Sequence, residues 1–130
     1  MKAKSLKGNS PAEIKAELQQ SMADGFKPTL AIVFISIKQD RKAVCELLHK
    51  EGIDILGATS CGEFINGYQS EGAIVILLLD LKRDSYIILY EDFENRTVGE
   101  AATQIAKSAL QKFKRPAFIL AVPVYLLKAD

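Results

Sequence analysis

Eight consecutive residues, Gly57-Ala58-Thr59-Ser60-Cys61-Gly62-Glu63-Phe64, gather most of the chemistry available to this chain. Two hydroxyls, a thiol and a carboxylate lie between and beside two glycines, directly after the apolar run Ile53 to Leu56. Hydroxyls and backbone N–H groups can hold a small polar ligand, and a carboxylate such as Glu63 can accept from a ligand amine. The carboxyl ends of strands in open α/β sheets are where such ligands settle. Thr59, Ser60, Cys61, Gly62 and Glu63 are therefore candidate ligand-binding residues. Tyr68 joins them because it lies in the same glycine-rich stretch. A tight strand-end turn uses the same residue types, with Thr and Ser satisfying backbone groups and Gly62 supplying a left-handed conformation. The residues alone leave both readings open.

Catalytic alternatives fare worse. A serine nucleophile elbow needs glycine two residues before the serine, and position 58 is Ala. A cysteine nucleophile needs a base. The only histidine, His49, falls among polar residues at the end of a helical segment, a place that suits a surface imidazole. Gly57 and Gly62 have the spacing of a phosphate-binding loop, but Glu63 stands where that loop needs lysine. One histidine and two cysteines outside any C-x-x-C pair assemble no usual zinc site. Asp84, Glu91, Asp92 and Glu94 read as solvated loop charges, and Tyr86 and Tyr90 as core or rim aromatics. Cys45 reads as a half-buried small hydrophobe on a helix. No catalytic residue, metal or cofactor is assigned.

The elements that must position these residues follow from periodicity and punctuation. Residues 1–9 read as a mobile arm. Ser10-Pro11-Ala12-Glu13 opens a helix, with Ile14, Leu18 and Met22 as its apolar stripe and Gly25 at its end. The span 29–37 is almost continuously apolar, as in a strand covered on both faces. Asp40 caps the next helix, whose buried face is Val44, Leu47 and Leu48 and whose end is Gly52. The span 53–59 is a second strand, followed by a glycine-rich loop. Strands over 73–81 and 85–90 form an antiparallel pair around a polar turn. Thr97-Val98-Gly99-Glu100 is a capping box for a helix that Pro116 ends. The span 117–124 is a fifth strand, with Pro123 at its end or on an edge. The order α-β-α-β-β-β-α-β predicts an α/β or α+β fold with a mixed five-stranded sheet.

With the elements in place, the motif Gly57-Ala58-Thr59-Ser60-Cys61-Gly62-Glu63 acquires a context. It lies about 20 residues after the strand Leu30-Ala-Ile-Val-Phe-Ile-Ser-Ile37. Gly72-Ala-Ile-Val-Ile-Leu-Leu-Leu79 and the helix opening at Thr97 follow it. Over roughly Leu30 to Phe113 the chain resembles the N-terminal half of a FIST sensory domain. The resemblance implies one sensory domain over residues 10–130, without catalytic activity and with a role in signal transduction. It implies amino acids or similar metabolites as ligands and a signalling module as neighbour. FIST sensory regions usually continue into a second domain, so the chain is expected to be a fragment or a minimal relative. The alternative is an interaction module without a small ligand. Its apolar end at Pro123 to Leu127 would pack on a C-terminal domain or a second subunit.

Bulk properties agree with either reading. A length of 130 residues suits one domain. The net charge of +1 lacks the clustered positive charge of a nucleic-acid footprint. No apolar run approaches the ~20 residues that span a bilayer, and the first residues lack the apolar stretch of a secretory signal peptide. Two unpaired-looking cysteines fit a reducing compartment, so the expected location is the cytoplasm.

Overall fold

Helix-capping side chains and apolar alternation decide where the elements begin. The computed structural model describes residues 1–92 and 94–122. In chain order it contains β1 (Lys2–Gly8), α1 (Pro11–Met22), β2 (Leu30–Ser36), α2 (Arg41–Lys50), β3 (Asp54–Ser60), β4 (Glu63–Ile65), β5 (Tyr68–Ser70), β6 (Ile74–Asp80), a 3-10 turn at Arg83–Ser85, and α3 (Val98–Lys112). They fall into two units, Met1–Tyr86 and Ile87–Asp130.

All three predicted caps form. The Ser10 hydroxyl accepts from the Glu13 N–H at 3.2 Å, and the Glu13 carboxylate accepts from the Asn9 N–H at 2.8 Å. Asp40 accepts from the Ala43 N–H at 3.0 Å. In the second unit Thr97 and Glu100 complete a reciprocal capping box. The Thr97 N–H and hydroxyl hold the Glu100 carboxyl below its ordinary pKa, since they bond the charged form.

The first unit is built on a four-stranded mixed sheet in the order β1-β6-β2-β3. Strands β2 and β3 are parallel, while β6 is antiparallel to both β1 and β2. So β1, β2 and β3 all run one way. Their carboxyl ends, Gly8, Ser36 and Ser60, meet the start of β6 at one end of the sheet. One sheet face carries Ala31, Val33 and Ile35 from β2 and Ile74, Ile76 and Leu78 from β6. These pack with Ile14 and Leu18 of α1 and Val44 and Leu48 of α2, all buried. Burying one such side chain is worth about 1.5–3 kcal/mol, so this face carries the first unit.

The mixed α/β class stands, but the sheet's membership differs from the expected five strands. Residues 1–9 are not a mobile arm. They contain β1, paired over its whole length with β6. Leu6 is 2 % exposed within the core. Lys4 reaches the end of α1, donating to the Ser21 carbonyl at 2.6 Å and to Asp24 at 2.8 Å. That bond holds the Asp24 carboxyl below its ordinary pKa.

The expected strand over 85–90 is absent. Tyr86 is drawn instead to the far end of the parallel pair. Its hydroxyl lies 2.6 Å from the Asp54 carboxylate and 3.0 Å from the Thr29 carbonyl. Arg83 also pairs with Asp54, at 2.6 Å. Burial and the neighbouring Asp54 charge raise the Tyr86 pKa. Residues 117–122 likewise form no strand; the rest of the expected fifth strand and the apolar end at Pro123 to Leu127 lie outside the described residues. Cys45, expected to be half-buried, is exposed.

The β1 correction yields a direct test. Leu6→Ala should lower the unfolding free energy by about 2–5 kcal/mol, the cost of a cavity in a packed core. Urea denaturation measures it. A change below 0.5 kcal/mol, roughly the size of ordinary surface effects, would return residues 1–9 to the status of an arm.

Candidate functional site

The carboxyl end of the sheet gathers five chain segments. Ser36 closes β2 and Ser60 closes β3, opposite each other in the parallel register. The Ser36 N–H donates to the Ala73 carbonyl at 3.0 Å. Gln39, just after β2, donates from Nε2 to the Gly72 carbonyl at 2.7 Å and to the Asn9 carbonyl at 2.9 Å. The leads out of β1 and β2 and into β6 are thereby joined by backbone and amide contacts.

The segment after Ser60, a glycine-rich loop by sequence, is a hairpin, β4–β5. Glu63 pairs with Ser70, Phe64 with Gln69 and Ile65 with Tyr68. Its two-residue turn is Asn66-Gly67, with φ of 49° and 80°. Two successive positive φ values make a type I′ turn, which Asn-Gly favours because Gly has no Cβ and the short polar side chain of Asn tolerates the left-handed region. That dipeptide was the sequence signal for the hairpin.

Strand alternation puts Glu63, Ile65, Tyr68 and Ser70 on one hairpin face. Glu63 is 2 % exposed. Its Oε1 accepts from the Ser60 hydroxyl at 2.7 Å and its Oε2 from the Ala73 N–H at 3.0 Å. Among the described residues no cation comes within ion-pair distance of it. Tyr68 receives the Lys7 ammonium 3.2 Å from its ring centroid, a cation–π contact between hairpin and β1.

The structure thus joins two of the six sequence candidates, Ser60 and Glu63, in one bond. Tyr68 shares Glu63's hairpin face. Thr59 is exposed and, by alternation, on the opposite sheet face from Ser60. Cys61 is an exposed free thiol. Gly62 does not have the expected left-handed conformation. A Cβ there would meet only the Ser70 carbonyl, at an ordinary 3.8 Å. The glycine that geometry requires is Gly57, where a Cβ would lie 2.7 Å from the Val33 carbonyl across the parallel pair. Ser36, Gln39 and Ala73 carry no motif; only their position beside apolar runs marks them. Among the described residues no cluster of His, Cys, Asp and Glu is placed to hold a metal ion, and no helix is long and apolar enough to cross a membrane.

Two outcomes follow from this geometry. Gly57→Val should destabilise the protein by about 1–3 kcal/mol through overpacking against β2, while Gly62→Ala should stay within about 0.5 kcal/mol. Comparable losses for the two would refute the assignment. Glu63→Gln can keep both bonds, its oxygen on the Ala73 N–H and its NH₂ group on Ser60. Glu63→Ala leaves the Ala73 N–H unsatisfied, at a cost of about 1–3 kcal/mol. Chemical denaturation should therefore rank Gln well above Ala; equal losses would mean that the hydrogen bonds contribute nothing.

No curated protein and no solved structure matches this chain. A family model does. The FIST N domain matches residues 29–127, which include β2, the strand-end motif, the hairpin, β6 and α3. The chain belongs to the FIST N domain family, sensory and non-catalytic domains of signalling proteins.

Proposed function

We propose that this protein is a cytoplasmic sensory domain that binds a small polar metabolite at the carboxyl end of its sheet. Ser60, Glu63 and Tyr68, with Thr59, Cys61 and Gly62 around them, would form the receiving region. One observation carries the reading. The buried Glu63 carboxylate is held by two neutral donors, at the end where three co-directional strands finish. Strand ends of this kind are the usual ligand position in open α/β sheets. Burying a carboxylate without a cation is costly. Amino acids are suitable first ligands to test, since they offer both an ammonium and a carboxylate to hydroxyls, N–H groups and Glu63. The signal would pass to an adjoining module.

A second reading, an interaction module without a ligand, draws on the exposed apolar run Phe118, Ile119, Leu120 and Val122 in the second unit. Its partner would be an adjoining domain or a second subunit.

A thermal-shift screen with amino acids and related metabolites separates the two. A ligand at 100 times its dissociation constant should add about 2.7 kcal/mol of stability, and folded Ser60→Ala should lose most of that gain. Silence across the screen, together with a dimeric mass in light scattering, would favour the interaction module.

A further inference from the structure

The geometry points to an internal plug. We propose that the Ser60 hydroxyl and the Ala73 N–H form a receptor for a small carboxylate, and that Glu63 occupies it until a ligand carboxylate takes its place. The inference rests on the sensing reading and deepens it by naming the chemistry of the ligand.

Ser60 ends β3 and Ala73 immediately precedes β6, so neither donor belongs to the hairpin that supplies Glu63. Ser60 is the last residue of β3, in register with Ser36. Ala73 is held through its own carbonyl by the Ser36 N–H at 3.0 Å. The preceding peptide is held by Gln39 at 2.7 Å. Both donors therefore keep their positions when the Glu63 carboxylate leaves. They present a hydroxyl and an N–H to the two oxygens of one carboxylate, one donor to each.

The occupant is less firmly placed. Strands β4 and β5 are three residues each. Phe64 is 79 % exposed and Tyr68 55 % exposed, so the hairpin buries little apolar surface to hold itself down. Segments of that kind are the ones that open locally. Among the described residues, the hairpin's other polar tie to a strand of the sheet, apart from Glu63, is the Tyr68 ring over Lys7. The pairing of Lys7 with Val75, and of Val75 with Phe34, puts Lys7 on the same sheet face as Ser36 and Ser60. Lifting the hairpin would uncover an ammonium on the face that receives the carboxylate. A glutamine at position 63 would serve a purely structural clamp without the desolvated charge. A carboxylate is the group that imitates a carboxylate ligand.

The test empties the receptor and refills it with acetate. The Ala73 amide resonance is followed by NMR during titration with sodium acetate, against sodium chloride at equal ionic strength. In Glu63→Ala the resonance should shift saturably with acetate. Wild type should bind at least about tenfold more weakly, because the tethered Glu63 competes. The Ser60→Ala/Glu63→Ala double variant should lose the response. An acetate response in Glu63→Ala no larger than in wild type, or undiminished in the double variant, overturns the proposal. Should Glu63→Ala fail to fold, Glu63→Gln replaces it: the uncharged plug should admit acetate more tightly than wild type, and equal affinity overturns the proposal. The sensing reading fails separately, through silence of wild type in the metabolite screen, which does not enter this comparison.

Discussion

Both polar groups of one residue, Ala73, hold the strand ends together. The Ala73 carbonyl accepts from the Ser36 backbone, and its N–H donates to the Glu63 side chain. Buried backbone groups require partners, and each polar group of Ala73 finds one where β6 enters the sheet. The next residue, Ile74, is paired with Gly8 on one side and Ile35 on the other. Strand β6 separates β1 from β2, and its starting residue therefore sets the register of both. A slip by one residue would turn Ile74, Ile76 and Leu78 to the opposite sheet face. One half of this anchor is backbone and indifferent to side-chain identity. The other half is the carboxylate of a residue on a small hairpin, and it connects the fold to the candidate site.

Much of the fold was legible because its determinants are local. Ser10-Pro11, Asp40 and Thr97 with Glu100 act within three residues of themselves, and each caps as its type predicts. Strand β2 is legible for a different reason, being apolar on both faces. Strand β1 was not legible. Leu6 is its one large aliphatic residue, and three of its seven positions are lysine. It becomes a strand because β6 offers it a complete ladder, from a partner more than sixty residues away in the chain. The two lysines with visible tasks use long stems and charged tips: Lys4 bonds the end of α1, and Lys7 lies over Tyr68. Residues 85–90 fail in the opposite sense. Their composition suits a strand, yet the Tyr86 hydroxyl is committed to Asp54 and Thr29, and Ile87 and Ile88 stay about two-fifths exposed, at 42 % and 40 %. A tertiary contact overrides propensity there.

At the site, residue type was legible and orientation was not. Thr59, Ser60 and Cys61 look equivalent in sequence, but strand alternation and the hairpin separate them: only Ser60 meets Glu63. Gly62 drew attention as the glycine before the acid. The close approach falls at Gly57, where the parallel neighbour's carbonyl comes within 2.7 Å of a would-be Cβ. Such a demand belongs to the pairing of β2 with β3 and is invisible along one strand. Glu63, a candidate ligand contact by residue type, is an internal acceptor in the structure.

The choice of a carboxylate at position 63 has an energetic consequence. Bringing an ion out of water costs several kcal/mol even after relaxation. Two hydrogen bonds to a charged acceptor contribute about 1.5–3 kcal/mol each. The two terms oppose each other: hydration draws the Glu63 carboxylate outward, and its bonds to Ser60 and Ala73 hold it in. Phe64 is 79 % exposed and adds little to that hold, while the Tyr68 ring adds its contact with Lys7. The apolar core under α1 and α2 is a different case, with many buried side chains acting together. A ligand shifts an equilibrium only by its differential affinity for the two states. For the proposed plug the element to be moved is the hairpin, whose hold on the sheet runs through Glu63 and the Tyr68–Lys7 contact rather than through a large apolar face.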